Sequence, residues 1–253
     1  MAEPPAPAAP AERLRALTQA RVALGRVGAG VPTRAMLDFQ LDHARARDAV
    51  HTALEAEGFG AAIGRPVIEV RSRARDRAEY LKRPDLGRQL DAADAARLPA
   101  TGGDLAIVVA DGLSATAVHA HAASLVTALT ARLAGWAIAP VVLARQARVA
   151  LGDDVGAALG VDMVAVLIGE RPGLSAPDSL GAYLTWQPRP GRRDSERNCV
   201  SNIRPPHGLG YDAAANVIAR LLEAARRQRL TGVALKDGAA SLPVPGGAIP
   251  DGR

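Results

Sequence analysis

"DLAIVVAD", residues 104–111, decides how this chain folds. Leu105–Ala110 is an unbroken apolar run of strand length carrying β-branched Ile107, Val108 and Val109, the pattern of a buried strand. Gly112 follows, then Ser114 in position to cap a helix over "ATAVHAHAASLVTALTARLAG", 115–135. "APVVLARQ" (139–146) reads as a second strand, "DDVGAALG" (153–160) as a short helix and "DMVAVLIGE" (162–170) as a third strand. This β-α-β-α-β alternation predicts a mainly parallel sheet with helices on its faces. Downstream, "LGAYLTWQP" (180–188) and "RNCVSNIR" (197–204) read as further strands, and "YDAAANVIARLLEAARRQRL" (211–230) as a long helix leading into a last short strand, "GVALK" (232–236).

Upstream the pattern is helical. Leu14, Leu17, Val22 and Val27 space out an amphipathic helix ended by Gly28 and Gly30. A second helix runs from Thr33 as N-cap, through Met36, Phe39, Ala46, Val50 and Leu54, to a stop at Gly58. "VIEVRSRARDRAEYLKRPDLGRQL" (67–90) breaks at Pro84 into a short extended piece, a helix and a capped continuation. Little here looks like sheet. The expected class is α/β: a tail and helix over 1–30, partly disordered, with Pro/Ala-rich residues 2–10 outside any core; a helical N-terminal domain over 31–98; a Rossmann-like domain over 99–238; and a loose tail over 239–253.

Composition narrows the function classes. The 253 residues suffice for one large domain or two small ones, and with aromatics at 3% the core must be aliphatic. No apolar run approaches the roughly 18–20 residues of a membrane span, and the N-terminus lacks the pattern of a secretory signal, so no membrane and a cytoplasmic setting are expected. The single cysteine, Cys199, excludes an intramolecular disulfide framework and any multi-cysteine metal site. The net charge is +5, but "RARDRAEYLKRPD" (73–85) interleaves both signs and aromatic stacking platforms are absent, so no nucleic acid is expected.

In open parallel sheets ligands bind outside the carboxyl ends of the strands. Three strand exits meet that description here: Asp111–Ser114, Gln146–Val149 and Glu170. A carboxylate at such an exit can accept ligand hydrogen bonds in a partly dry cleft. The chain offers no catalytic set to accompany it. "GLGYDA" (208–213) has the letters of a dinucleotide fingerprint but is separated from the preceding strand by "RPPH", which leaves a stand-alone nucleotide-binding Rossmann-like protein as the alternative reading. The five histidines show no zinc spacing, and His119 and His121, two apart on a helix, cannot face one ligand together. "GLSAT" lacks the glycine that a nucleophile elbow needs two places after Ser114, and Cys199 reads as a buried strand thiol. Neither a catalytic nor a metal residue is assigned, which favours a chain that helps hold a large cofactor.

Five stretches carry a resemblance: "FQLDHARARDAVH" (39–51), "VRSRARDRAEYLKRPDLGRQL" (70–90), "DLAIVVADGLSATAVHAHA" (104–122), "LIGERPGLSAPDSLGAYLTW" (167–186) and "RNCVSNIRPPHG" (197–208). Together, over roughly 30–236, the chain resembles the small (light) subunit of adenosylcobalamin-dependent ethanolamine ammonia-lyase. The resemblance implies radical conversion of ethanolamine to acetaldehyde and ammonia, with ethanolamine bound by a large subunit and this chain closing the cobalamin site, which falls in the 99–238 domain. Carried over by motif, the cofactor contacts are Val149 in "QARVALGD", Glu170 in "IGERPG" and Cys199 in "RNCVSN". No D-x-H-x-x-G string occurs, so adenosylcobalamin is expected to stay base-on, shared with the large subunit. Packaging into a bacterial microcompartment is left open.

Overall fold

The computed structural model describes residues 10–235. The expectations for residues 2–9 and for the tail at 239–253 lie outside the described residues.

A six-stranded sheet organises the chain. In chain order its strands are β1 (Val67–Arg71), β2 (Leu105–Ala110), β3 (Val141–Arg145), β4 (Met163–Gly169), β5 (Leu180–Trp186) and β6 (Asn198–Ile203), in the spatial order β1-β3-β2-β4-β5-β6. The first four are mutually parallel, whereas β5 and β6 pair antiparallel, giving a mixed α/β architecture with a mostly parallel sheet. The helices are α1 (Pro10–Leu17), α2 (Thr33–His51), α3 (Phe59–Ile63), α4 (Arg77–Lys82), α5 (Ala92–Arg97), α6 (Ala115–Arg132), α7 (Leu151–Leu159) and α8 (Tyr211–Gln228).

The period-two alternation of the central strands builds two cores. Leu105, Ile107 and Val109 of β2, with Met163, Ala165 and Leu167 of β4, face α6 and α8. Ala106, Val108 and Ala110, with Val164, Val166 and Ile168, face α7 and residues Leu90 and Leu98 around α5. Because both faces are covered, these strands carry no polar alternation. Ser114 caps α6 as expected, its hydroxyl accepting from the Ala117 N–H at 3.2 Å.

Several boundaries differ from the sequence expectations. The helix predicted to reach Val27 ends at Leu17. Leu14 and Leu17 are exposed, and a short helix without tertiary packing on its apolar face does not propagate. Thr33 is the first residue of α2 and not its cap; extended Pro32 precedes it, and the Pro32 carbonyl accepts the Met36 N–H at 3.1 Å. Helix α2 stops at His51, where Thr52 turns extended and returns its N–H and hydroxyl to the Asp48 carbonyl. Gly58, expected to end that helix, instead opens α3 with φ 74°.

The expected short extended piece after Pro66 is β1, a strand of the common sheet paired with β3 over five residues, so the 31–98 stretch is not free of sheet. Local pattern hid this. Val67 and Ile68 become strand residues only because β3 supplies hydrogen-bond partners. At the other end "GVALK" is a turn within the described residues, with the Leu235 N–H bonded to the Gly232 carbonyl at 3.0 Å. The Asn198 side chain claims the Gly232 and Leu235 carbonyls, which holds the segment beside the start of β6 without ladder pairing.

Candidate functional site

Three strand exits converge on a cavity of about 430 Å³ at the carboxyl ends of β2, β3 and β4. Its lining includes Gly112 and Leu113 after β2, Arg148 and Val149 after β3, and Ile168–Arg171 at the end of β4. Tyr80 of α4 and Tyr183 of β5 complete it.

The loops are fixed by one buried carboxylate. Asp111 is 2% exposed; its two oxygens accept the Gln146 N–H at 2.8 Å and the Ala147 N–H at 2.9 Å. Gln146 is held at φ 52°, a left-handed conformation that costs a non-glycine residue energy and is sustained by this clamp. The Arg77 guanidinium lies 3.6 Å from Asp111 and donates to the Val50 and Gly112 carbonyls at 2.6 and 2.8 Å. Burial pushes the Asp111 carboxyl above its ordinary pKa, against the two backbone N–H groups and Arg77. Gly112, at φ 55°, lets the β2 exit lie against Gly169: a Cβ there would collide with the Gly169 carbonyl oxygen.

Glu170 is half-buried and engaged by its own chain. Its carboxylate accepts from the hydroxyls of Ser179 and Ser201 and from the Asn202 N–H at 3.3 Å, while its N–H bonds to the Ser179 carbonyl at 2.9 Å. A carboxylate has about four lone-pair sites, so one acceptor position remains for a ligand. Gly181 makes room for it, since a Cβ there would stand 2.8 Å from Oε1.

Val149 and Glu170 therefore line one cavity. Cys199 does not line it, but sits directly across the ladder from Tyr183, which does. The expectation of a buried thiol is corrected: Cys199 is exposed on edge strand β6, where a burial pattern from one covered face alternates it outward. Local desolvation pushes the pKa of its thiol up, against the opposing influence of the Tyr183 phenol across the ladder. Burial also raises the phenol of Tyr183, and takes that of Tyr80 to about 12.

Tyr80, Arg148 and Tyr183 were not singled out from the sequence. Tyr80 is 1% exposed, with its hydroxyl donating to the Ala147 carbonyl at 3.2 Å and the guanidinium carbons of Arg77 and Arg148 each 4.8 Å from its ring centroid. The only sequence signal was a lone aromatic in an aromatic-poor, Arg-rich stretch.

The other candidates are absorbed by packing. In "GLGYDA" a Cβ on Gly208 would collide with the Asn202 carbonyl, and the Leu209 N–H bonds to that same oxygen at 2.7 Å. That glycine serves the turn beside β6, and none of these residues lines the cavity. His119 accepts the Glu55 N–H at 2.9 Å; buried His121 meets the Tyr211 hydroxyl at 2.9 Å. Among the described residues no cluster could hold a metal ion, and no helix is long and apolar enough to cross a membrane.

Fold and site thus define an α/β chain with a mixed polar and apolar cavity at its strand ends. The sequence model of the ethanolamine ammonia-lyase light chain matches residues 8–236. The chain is 59% identical over 246 residues to the ethanolamine ammonia-lyase small subunit of Bradyrhizobium diazoefficiens, covering 94% of each chain. It is 61% identical over 232 residues to that of Rhodopseudomonas palustris, covering 88% of each. To that of Ralstonia nicotianae it is 52% identical over 241 residues, covering 91% of this chain and 89% of the relative. The chain belongs to the ethanolamine ammonia-lyase light-chain family.

Proposed function

We propose that this chain is the small subunit of a cytoplasmic ethanolamine ammonia-lyase and closes the adenosylcobalamin site on a large subunit that binds ethanolamine. The cofactor, when bound, supplies the radical chemistry that turns ethanolamine into acetaldehyde and ammonia. This chain's residues bind and orient. Val149 offers an apolar wall, Glu170 its remaining acceptor position, and Cys199, with Tyr183, a small polarisable edge against which a corrin periphery packs closely.

The observation that carries this reading is the joint lining of one strand-end cavity by Val149 and Glu170, continued to Cys199 through Tyr183. The residues fit the group: Leu113, Val149 and Ile168 are apolar, and the guanidinium Nε of Arg148 is buried without a hydrogen-bond partner among the described residues. Size argues for a shared site. About 430 Å³ lies toward the small end of the roughly 300–1,000 Å³ typical of pockets for drug-sized ligands. A corrinoid overhangs such a cavity and needs a second protein surface.

The test is Val149→Trp in the two-subunit complex. The indole fills the cavity from a half-buried position, so cobalamin affinity is expected to fall about tenfold or more, the equivalent of about 1.4 kcal/mol, with thermal unfolding unchanged. Wild-type affinity in that variant removes the cavity from the cofactor site.

A further inference from the structure

The cavity carries more positive than available negative charge. Its charged lining is Arg148, Arg171 and Glu170. Glu170 supplies one negative charge against two guanidiniums and is already held by two hydroxyls and a backbone N–H, and Asp111 behind it faces Arg77 and two N–H groups. Neither Arg148 nor Arg171 has a carboxylate within ion-pair distance among the described residues.

Arg148 is also built into place. Its N–H bonds to the Gly87 carbonyl at 2.8 Å, and its guanidinium stacks on Tyr80. A Cβ on Gly87 would stand 2.7 Å from Tyr80 Cε2 and 3.3 Å from Arg148 Cγ, so the stack depends on a glycine beneath it. Arg77 and Arg148 press on the same ring, yet only Arg77 has a carboxylate beside it, at 3.6 Å. Two like charges on one buried ring repel unless an anion sits nearby. A guanidinium that is oriented, partly desolvated and unpaired is suited to a phosphate, which its planar fork meets through charge-assisted hydrogen bonds.

Resting on the cofactor reading above, we propose that Arg148, positioned on Tyr80, binds the phosphodiester of the cobalamin nucleotide loop. That diester is the one anionic group of a cofactor whose other peripheral arms are neutral amides, so Arg148 sets which part of the cofactor enters this cavity.

Equilibrium titration of the two-subunit complex with cobinamide, cobinamide phosphate and cobalamin tests this. The wild-type complex is expected to prefer cobinamide phosphate over cobinamide by about tenfold, a preference that shrinks as salt rises. Arg148→Met is expected to level the two while leaving cobinamide affinity unchanged, and Arg148→Lys to keep part of the preference. A preference that survives Arg148→Met overturns the proposal, as does equal weakening of all three corrinoids. If Arg148→Met prevents assembly, Tyr80→Leu removes the stacking platform and keeps the charge; an undiminished phosphate preference there overturns the proposal too. A complex whose corrinoid affinities ignore both Arg148 and Val149→Trp refutes the cofactor site itself, which separates that failure from this one.

Discussion

Glu170 stands at the exit of a buried strand because three donors of its own chain wait for it there. Ser179 and Ser201 bring β5 and β6 to the β4 exit through its carboxylate. Glu170→Gln removes the charge and one acceptor, and hydrogen bonds to charged groups are worth about 1.5–3 kcal/mol each. We therefore expect this variant to unfold at lower temperature even without cofactor, which a thermal melt of the complex checks. Unchanged melting would mean the three bonds add nothing net. Gly112 is the other residue on which the site depends. Gly112→Ala combines a left-handed φ, costing roughly 1–3 kcal/mol, with a collision against the Gly169 carbonyl. Denaturant unfolding should show a loss of at least that size. The sequence marked both positions as strand exits. It could not show the hydroxyls around Glu170, because Ser179 arrives from the loop entering β5 and Ser201 from β6.

At the scale of elements, the antiparallel end of the sheet is tied to α7 by a buried ion pair. Arg197 donates to both Asp153 oxygens at 2.7 and 2.6 Å and to Thr185 Oγ1 at 2.8 Å, with both charged side chains almost wholly buried. Burial raises the Asp153 carboxyl pKa in spite of Arg197, so desolvation outweighs the partner at that carboxyl. Asp153→Ala leaves buried Arg197 with only the exposed Asp194 carboxylate, 3.6 Å from its Nε, and should cost up to about 3–5 kcal/mol, whereas Asp153→Leu with Arg197→Met should recover most of it. Chemical denaturation of both variants decides. A double variant as unstable as the single would mean that the pair itself, and not the avoidance of a buried lone charge, supplies the stability. Elements with strong local signals, the apolar runs of β2 and β4 and the capped or amphipathic helices α6 and α8, were legible in the sequence. β1 was not, since five residues with partial burial acquire strand character only beside β3.

The whole molecule keeps its exposed large apolar side chains mostly in one stretch. Among the described residues Leu14, Leu17, Leu24, Val27, Val31, Met36, Leu37, Phe39 and Leu41 are all exposed, and α2 buries only Ala49. Such a surface favours association. The isolated chain is expected to self-associate, and Leu17→Glu with Leu37→Glu to shift it toward the monomer in size-exclusion chromatography; an isolated wild-type monomer at high concentration would contradict this. Acid sensitivity also belongs to this scale, because His121 joins α6 to α8 through Tyr211 and faces Asp178 beside Arg204. Desolvation lowers the His121 pKa below its ordinary 6.5, more than Asp178 raises it. Folded, it binds protons less readily than unfolded, so its contribution is whole above about pH 6.5 and is lost as pH falls further. Melting temperatures from pH 7.5 to about 5 should fall more steeply for wild type than for His121→Asn. Equal slopes would assign the acid loss to other groups.

Sequence by itself determined the alternation of strands and helices, the two-faced burial of the central strands and the three exits that converge on one cavity. Those are local signals: apolar runs, caps and turn residues act over a few positions. The motif blocks also marked Val149 and Glu170. Only the tertiary structure decided that β1 joins the sheet, that Cys199 faces outward, and that Tyr80 is clasped between Arg77 and Arg148 beside Val149. Each depends on partners distant in the chain, 67 residues apart for the bond from Tyr80 to Ala147, and no local pattern carries a contact whose two halves are joined only by the fold.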